Sequence, residues 1–171
     1  MLSSLDQFII RFAGLKTTLT LLAIFLVFHF AIFPMFMPED EALKPLDLQV
    51  AYTPQQAYDL IGKYSLEERA NYIRAEYSAD LVYPVVYTLL FSFALFLIYG
   101  KVKLARLPFL ILIADYLENI GVYNLLKAYP EELDKLVYLT SFITTIKWMI
   151  ALIVVLMVVL GLLHSLKKMV F

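Results

Sequence analysis

Residues 137–163 read VYLTSFITTIKWMIALIVVLMVVLGLL, an apolar run whose single charge is Lys147. At the helical rise this run is longer than the roughly 30 Å hydrocarbon core of a bilayer, and backbone groups in lipid must be bonded within their own segment. A membrane-crossing helix is therefore the element it dictates. Three further runs have the same character: Leu19 to Met37, Leu81 to Tyr99 and Leu104 to Leu126. The alternating pattern of barrel strands is absent from all of them. With 62% apolar and 17% charged residues and a mean hydropathy of +0.79, the chain as a whole belongs in lipid. The expected fold is all-α, a four-helix transmembrane bundle with a helical extracytoplasmic loop after the first span. Spans fall at about 19–37, 81–99, 104–126 and 137–163, the outer helical loop at 38–80, and residues 1–171 form a single integral membrane domain.

Composition also removes several chemistries. The chain has no cysteine, which excludes disulfides, thiolate catalysis and Cys-ligated metals. A net charge of −1 points to no nucleic-acid partner. His29 and His164 sit at opposite depths, so neither a metal site nor a bis-histidine haem is expected, and no cofactor is assigned. The first run has the position of a signal peptide. Its apolar stretch exceeds the usual apolar region and no small-x-small site follows, so it is expected to be retained as a span.

Basic residues set the expected orientation. Lys101, Lys103 and Arg106 lie between spans two and three, and Lys167 and Lys168 follow span four, with no acid in either segment. Arg11 and Lys16 precede span one. The loop after span one carries Glu39, Asp40, Glu41, Asp47, Asp59, Glu67, Glu68 and Glu76 against four bases, and the short loop after span three carries Glu131, Glu132 and Asp134. By the positive-inside rule both termini are cytoplasmic, in the cell's inner (cytoplasmic) membrane. Leu5, Phe8, Ile9 and Phe12 share one helical face and predict a short interfacial helix ahead of span one.

The outer loop carries repeated helix-start signals. Thr53-Pro54 with Gln56, ending at Gly62, reads as one capped helix, and Ser65 with Glu68 begins another. No glycine occurs from Leu66 to Tyr99, which predicts one long helix entering the membrane as span two. Pro84 within it leaves the Asp80 carbonyl without its donor and predicts a kink near the outer surface. The loop is expected to cap the bundle.

Ionisable residues within the spans are costly and mark candidate sites. Asp115, Glu118 and Asn119 fall on one face of span three. Counting inward from the helix ends puts Glu118 and Lys147 at the same depth, about 13 to 15 Å below the outer surface. Thr140, Thr144 and Lys147 form a stripe on span four with Trp148 beside it, span two offers Asp80, Tyr83 and Tyr87, and span one offers His29. All lie in the outer half of the membrane. Asp115, Glu118 and Lys147 are the candidate catalytic or charge-bearing groups; His29, Asp80, Tyr83, Tyr87, Asn119, Thr144 and Trp148 are the candidate ligand contacts. Each has a plainer role as well, since His29 and the tyrosines can simply bond or pack between helices, and a buried Lys–carboxylate pair can fix helix register.

The runs Asp80-Leu-Val-Tyr-Pro84 and Asp115-Tyr-Leu-Glu-Asn119 and the pair Lys147-Trp148 resemble motifs of small four-span bacterial membrane proteins that carry no assigned activity. The layout of four spans with a long outer first loop is similar to the emopamil-binding and sterol isomerase group. That resemblance implies buried acids in a lipid-accessible pocket, without fixing which residues here correspond. Three readings stay open at this level. One is a pocket that binds or processes a membrane lipid or lipophilic small molecule, as an enzyme or as a binder. The second is a proton or cation site of a transporter, formed as a homo-oligomer. The third is a scaffold whose network specifies packing.

Overall fold

The computed structural model describes residues 2–38 and 43–170, so Glu39, Asp40 and Glu41 of the acidic loop lie outside the described residues. The described residues are helical without a strand. Four helices are long and apolar enough to cross a membrane: Leu15–Met35, Ala79–Tyr99, Val102–Ala128 and Asp134–Lys168. They are the four expected spans, with somewhat different ends. Backbone hydrogen bonding carries a helix past its apolar stretch into polar flanks, which is why the fourth runs longer than its hydropathy suggests.

The first helix, α1 (Ser4–Phe12), is capped by Ser3: the Asp6 backbone N–H donates to the Ser3 hydroxyl at 3.2 Å and the Ser3 backbone N–H donates to the Asp6 carboxylate at 2.8 Å. The same carboxylate accepts from Arg106 Nε at 2.6 Å and from its Nη2. Arg106 beside it holds the Asp6 carboxyl down at about 2. Of the apolar face read from the sequence, Ile9 is fully buried while Phe8 and Phe12 remain partly outside. This ion pair and Ile9 seat α1 against the second span and the segment that follows it.

Span one consists of α2 (Leu15–Val27), a wider helical turn at Phe28–Ile32 and a tighter one at Phe33–Met35. Pro34 cannot donate to the preceding turn, and the helix absorbs the lost bond by changing its winding just before it. The helix packs chiefly on span two and has no extensive contact with spans three or four.

Over the loop, α3 (Pro54–Ile61) and α4 (Leu66–Glu76) start at Thr53 and Ser65 with the expected reciprocal caps. Leu46, Tyr52, Ala57, Tyr58, Ile61, Tyr64 and Tyr72 then form one apolar core with Val122, Leu125, Leu126 and Val137 from the ends of spans three and four. The Tyr52 N–H donates to Ser141 Oγ at 2.9 Å and Thr145 donates to the Val50 carbonyl at 2.9 Å. The loop thus caps the bundle.

The uninterrupted helix expected from Leu66 to Tyr99 is not formed. α4 ends at Glu76, and α5 (Ala79–Tyr99) begins anew. Ser78 Oγ donates to the Arg74 carbonyl at 2.5 Å while its backbone N–H turns to the Ala75 carbonyl, so local serine bonding replaces the helical ladder. The break therefore sits ahead of Pro84, and α5 runs through that proline without interruption. Gly100 closes α5 at a φ of 64°, a left-handed turn that a side chain would strain. The chain returns through α6 (Val102–Ala105) into α7 (Pro108–Ala128), and α8 (Asp134–Val170) completes the bundle. α7 and α8 share the most extensive helix contact. Gly121 permits it, because a Cβ there would overlap the Thr140 side chain.

Candidate functional site

The i, i+3 spacing on α7 turns Asp115 and Glu118 to α8, where Lys147 lies at the same depth. Lys147 Nζ is 3.0 Å from Asp115 Oδ1 and also contacts Glu118 Oε2. Glu118 is fully buried, and Asp115 and Lys147 are 6% and 8% exposed, so one ammonium serves two carboxylates away from water. The ammonium also stands 5.5 Å above the Trp148 ring.

Asn119 has a different task. Pro84 has no N–H to give the Asp80 carbonyl, and Asn119 Nδ2 donates to that oxygen at 3.1 Å. One residue on, the Leu81 carbonyl accepts from the Tyr116 hydroxyl at 2.8 Å. Span three thus completes the hydrogen bonding of span two at the proline.

Beside the triad lies a cavity of about 430 Å³. Asp80, Tyr83, Tyr87 and Phe91 follow one another down its α5 wall, Lys147, Trp148, Ala151 and Val155 down its α8 wall, and Asp115 and Ile111 down α7. Phe25, His29 and Phe33 face it from span one, and Asp47, Tyr64 and Tyr72 close it from the loop. On the α5, α7 and α8 walls the charged or polar residues are at the loop end and the apolar ones are deeper, whereas the span-one wall is apolar at its loop end, at Phe33, Pro34, Phe36 and Met37. From Asp80 to Phe91 the axial reach is about 16 Å at the helical rise. Span one packs on span two and has no extensive contact with span four.

Seven of the ten residues singled out from the sequence line this cavity: His29, Asp80, Tyr83, Tyr87, Asp115, Lys147 and Trp148. Glu118, Asn119 and Thr144 do not. Glu118 lies behind Lys147, Asn119 is bonded to α5, and Thr144 Oγ1 donates to the Thr140 carbonyl of its own helix at 2.9 Å. His29 stacks on Phe25 at 6.4 Å between ring centroids and meets Phe30 edge-on at 4.8 Å. Tyr83 joins span one to span two by ring contacts with Phe25, Phe28 and Phe33.

The loop supplies what sequence reasoning missed. The Asp47 carboxylate accepts from the Tyr72 hydroxyl at 2.5 Å, and its backbone carbonyl accepts from Trp148 Nε1 at 3.1 Å. The hydroxyl of Tyr72 also accepts from the Leu46 N–H at 2.9 Å. Glu76 is 3% exposed, and neither carboxylate oxygen has a hydrogen-bond partner among the described residues. Burial pushes its carboxyl well above the ordinary range, and the nearby acids Asp47, Asp80 and Glu118 push it further, against the opposing pull of Lys147. Neither residue lies in an apolar span, where an ionisable group would have drawn notice. A carboxylate in an acidic loop reads as solvated until the loop is folded over the bundle.

Comparison of the chain with protein-family models, with curated proteins and with solved structures finds no match.

Proposed function

We propose that this multi-pass membrane protein binds a lipid or a lipophilic small molecule in the cavity beside Asp115 and Lys147. The observation that carries the reading is the polarity gradient along three of the cavity's walls: α5, α7 and α8 pass from charged or hydroxyl-bearing residues at the loop end to Phe91, Ile111, Ala151 and Val155 farther in, and span one faces them with Phe25, His29 and Phe33. A site with that gradient suits a molecule with a polar head and an apolar body. Its volume lies within the range of small-molecule sites, which are largely apolar with a few placed polar groups. A register-fixing ion pair alone would be packed on all sides, and here Lys147 and Asp115 border open space. The apolar inner walls favour a closed binding site over a conduction path through the bundle. Asp115 is the group placed to exchange a proton with a bound molecule, and Lys147 holds the charge that results. The basic bias of the terminal and Lys101–Arg106 segments supports the orientation with both termini cytoplasmic and the capping loop outside.

Native mass spectrometry of the purified protein tests the reading. A retained lipid or amphiphile is expected, and Ala151→Phe, which fills the apolar part of the cavity, should expel it while the protein stays folded. Parent and variant that both emerge free of any bound molecule, with equal thermal stability in added lipid, would refute the site.

A further inference from the structure

At the end of the bundle away from the capping loop, the bases outnumber the acids. Arg11 and Lys16 flank the turn from α1 into α2, Lys101 and Lys103 lie at the turn from α5 into α6, and Lys167 and Lys168 are in the last turn of α8. All six are exposed. They share one end of the molecule, because α8 meets the close of α5 where a Cβ on Gly161 would overlap Ile98 and Tyr99, and because the ion pair of Asp6 with Arg106 pins α1 beside α6. In residues 1–18, 99–107 and 160–171 the one Asp or Glu is Asp6, which is 1% exposed and taken by Arg106. Among the described residues no ion pair joins any of the six bases to an acid.

Unpaired bases around the end of an apolar bundle are complementary to an anionic surface. Exposed apolar side chains are interleaved with them: Phe8, Ile10 and Phe12 on α1, and Leu163 and Leu166 on α8. A soluble acidic partner would meet the bases and leave these side chains in water, whereas phosphate head groups above acyl chains satisfy both kinds at once. α1 has the matching disposition, with Asp6 and Ile9 turned into the bundle and Arg11 exposed, its guanidinium 5.3 Å over the Phe12 ring. The first turn of α2 holds Lys16 and no acid, so the positive end of the helix adds to that charge instead of offsetting it. An anion there relieves the repulsion. We infer that this end of the bundle binds anionic phospholipid head groups, with Arg11, Lys16, Lys101 and Lys103 as the bases that hold the phosphates. The inference is independent of the cavity.

The experiment is native mass spectrometry of the full-length protein in dodecyl maltoside with an equimolar mixture of palmitoyl-oleoyl phosphatidylglycerol and palmitoyl-oleoyl phosphatidylcholine. The two lipids share acyl chains, so enrichment reports the head group. One base near an anionic surface contributes about fivefold, and a phosphatidylglycerol enrichment of at least about tenfold is expected, declining as ammonium acetate is raised. Lys101→Gln/Lys103→Gln and Arg11→Gln/Lys16→Gln should each cut the enrichment by at least about fivefold, with circular dichroism confirming that both variants fold. Glu131→Gln/Glu132→Gln, exposed at the opposite end, should leave it unchanged. Equal binding of the two lipids, or an enrichment insensitive to salt, overturns the proposal. Enrichment unchanged in both base variants overturns the assignment to these residues. Enrichment that disappears in Ala151→Phe places the lipid in the cavity and overturns the site at this end, whereas enrichment that persists there supports it. Inorganic phosphate or hexaglutamate that displaces phosphatidylglycerol from the parent as effectively as added phosphatidylglycerol assigns the bases to a soluble anion and overturns the lipid.

Discussion

Replacing Lys147 by methionine keeps most of the side-chain volume and removes the charge that two buried acids share. At an effective dielectric of about 20, unit charges at the 3.0 Å separation of Lys147 and Asp115 attract by about 5.5 kcal/mol. Glu118 is in contact as well, so the ammonium's attraction to its partners is larger than that single pair. Desolvating the ammonium offsets part of this attraction, and measured losses on breaking a buried pair are about 3–5 kcal/mol. Lys147→Met should therefore destabilise the fold by an amount in that range, because it leaves Asp115 and Glu118 buried without their cation. Adding Glu118→Gln or Asp115→Asn should each restore part of the loss, and the triple variant Lys147→Met/Asp115→Asn/Glu118→Gln should restore most of it, since a neutral polar set costs less than stranded charge. The assay is reversible unfolding by sodium dodecyl sulfate in mixed micelles, followed by circular dichroism, for the parent and each variant in the cycle. Losses that add within about 0.5 kcal/mol, with no restoration in the double variants, would refute the shared-charge account.

Glu76 predicts a pH dependence. Its folded-state affinity for a proton is raised above the unfolded value of 4.5, so the native state binds more protons and its contribution to stability falls as pH rises above that value. Glu76→Gln should flatten the decline and raise the unfolding temperature at pH 8 more than at pH 5; equal slopes in parent and variant would show that Glu76 is solvated. Gly121→Ala tests the closest approach of α7 to α8. Its Cβ would meet Thr140 Oγ1, Cγ2 and Cβ together, so a loss of about 1–3 kcal/mol is expected in the same unfolding assay, with recovery when Thr140→Ala is added.

Much of this molecule was legible before folding. The four spans follow from apolar run length, because transfer into lipid and internal backbone bonding are properties of one segment at a time. The caps at Thr53 and Ser65 are equally local. Depth can be counted along a helix, so the level at which Glu118 and Lys147 meet was available, and helical spacing put Asp115 beside Glu118 on one face. The orphaned Asp80 carbonyl was foreseeable from Pro84, although nothing in the sequence named Asn119 as its donor. Depth and face, however, do not say which helix stands opposite. Only the packed bundle decided that Asn119 serves the backbone of span two, that Glu118 lies behind Lys147 and away from open space, and that Asp47 and Glu76 come down from the loop to join the intramembrane charges. Ser78 ended α4 through a hydroxyl bond that competes with the ladder, a choice left open by propensity. The cavity is the feature farthest from the sequence. It lies between span one, which rests on span two, and the walls of spans three and four, and a gap is set by the joint placement of whole helices, which no single segment encodes.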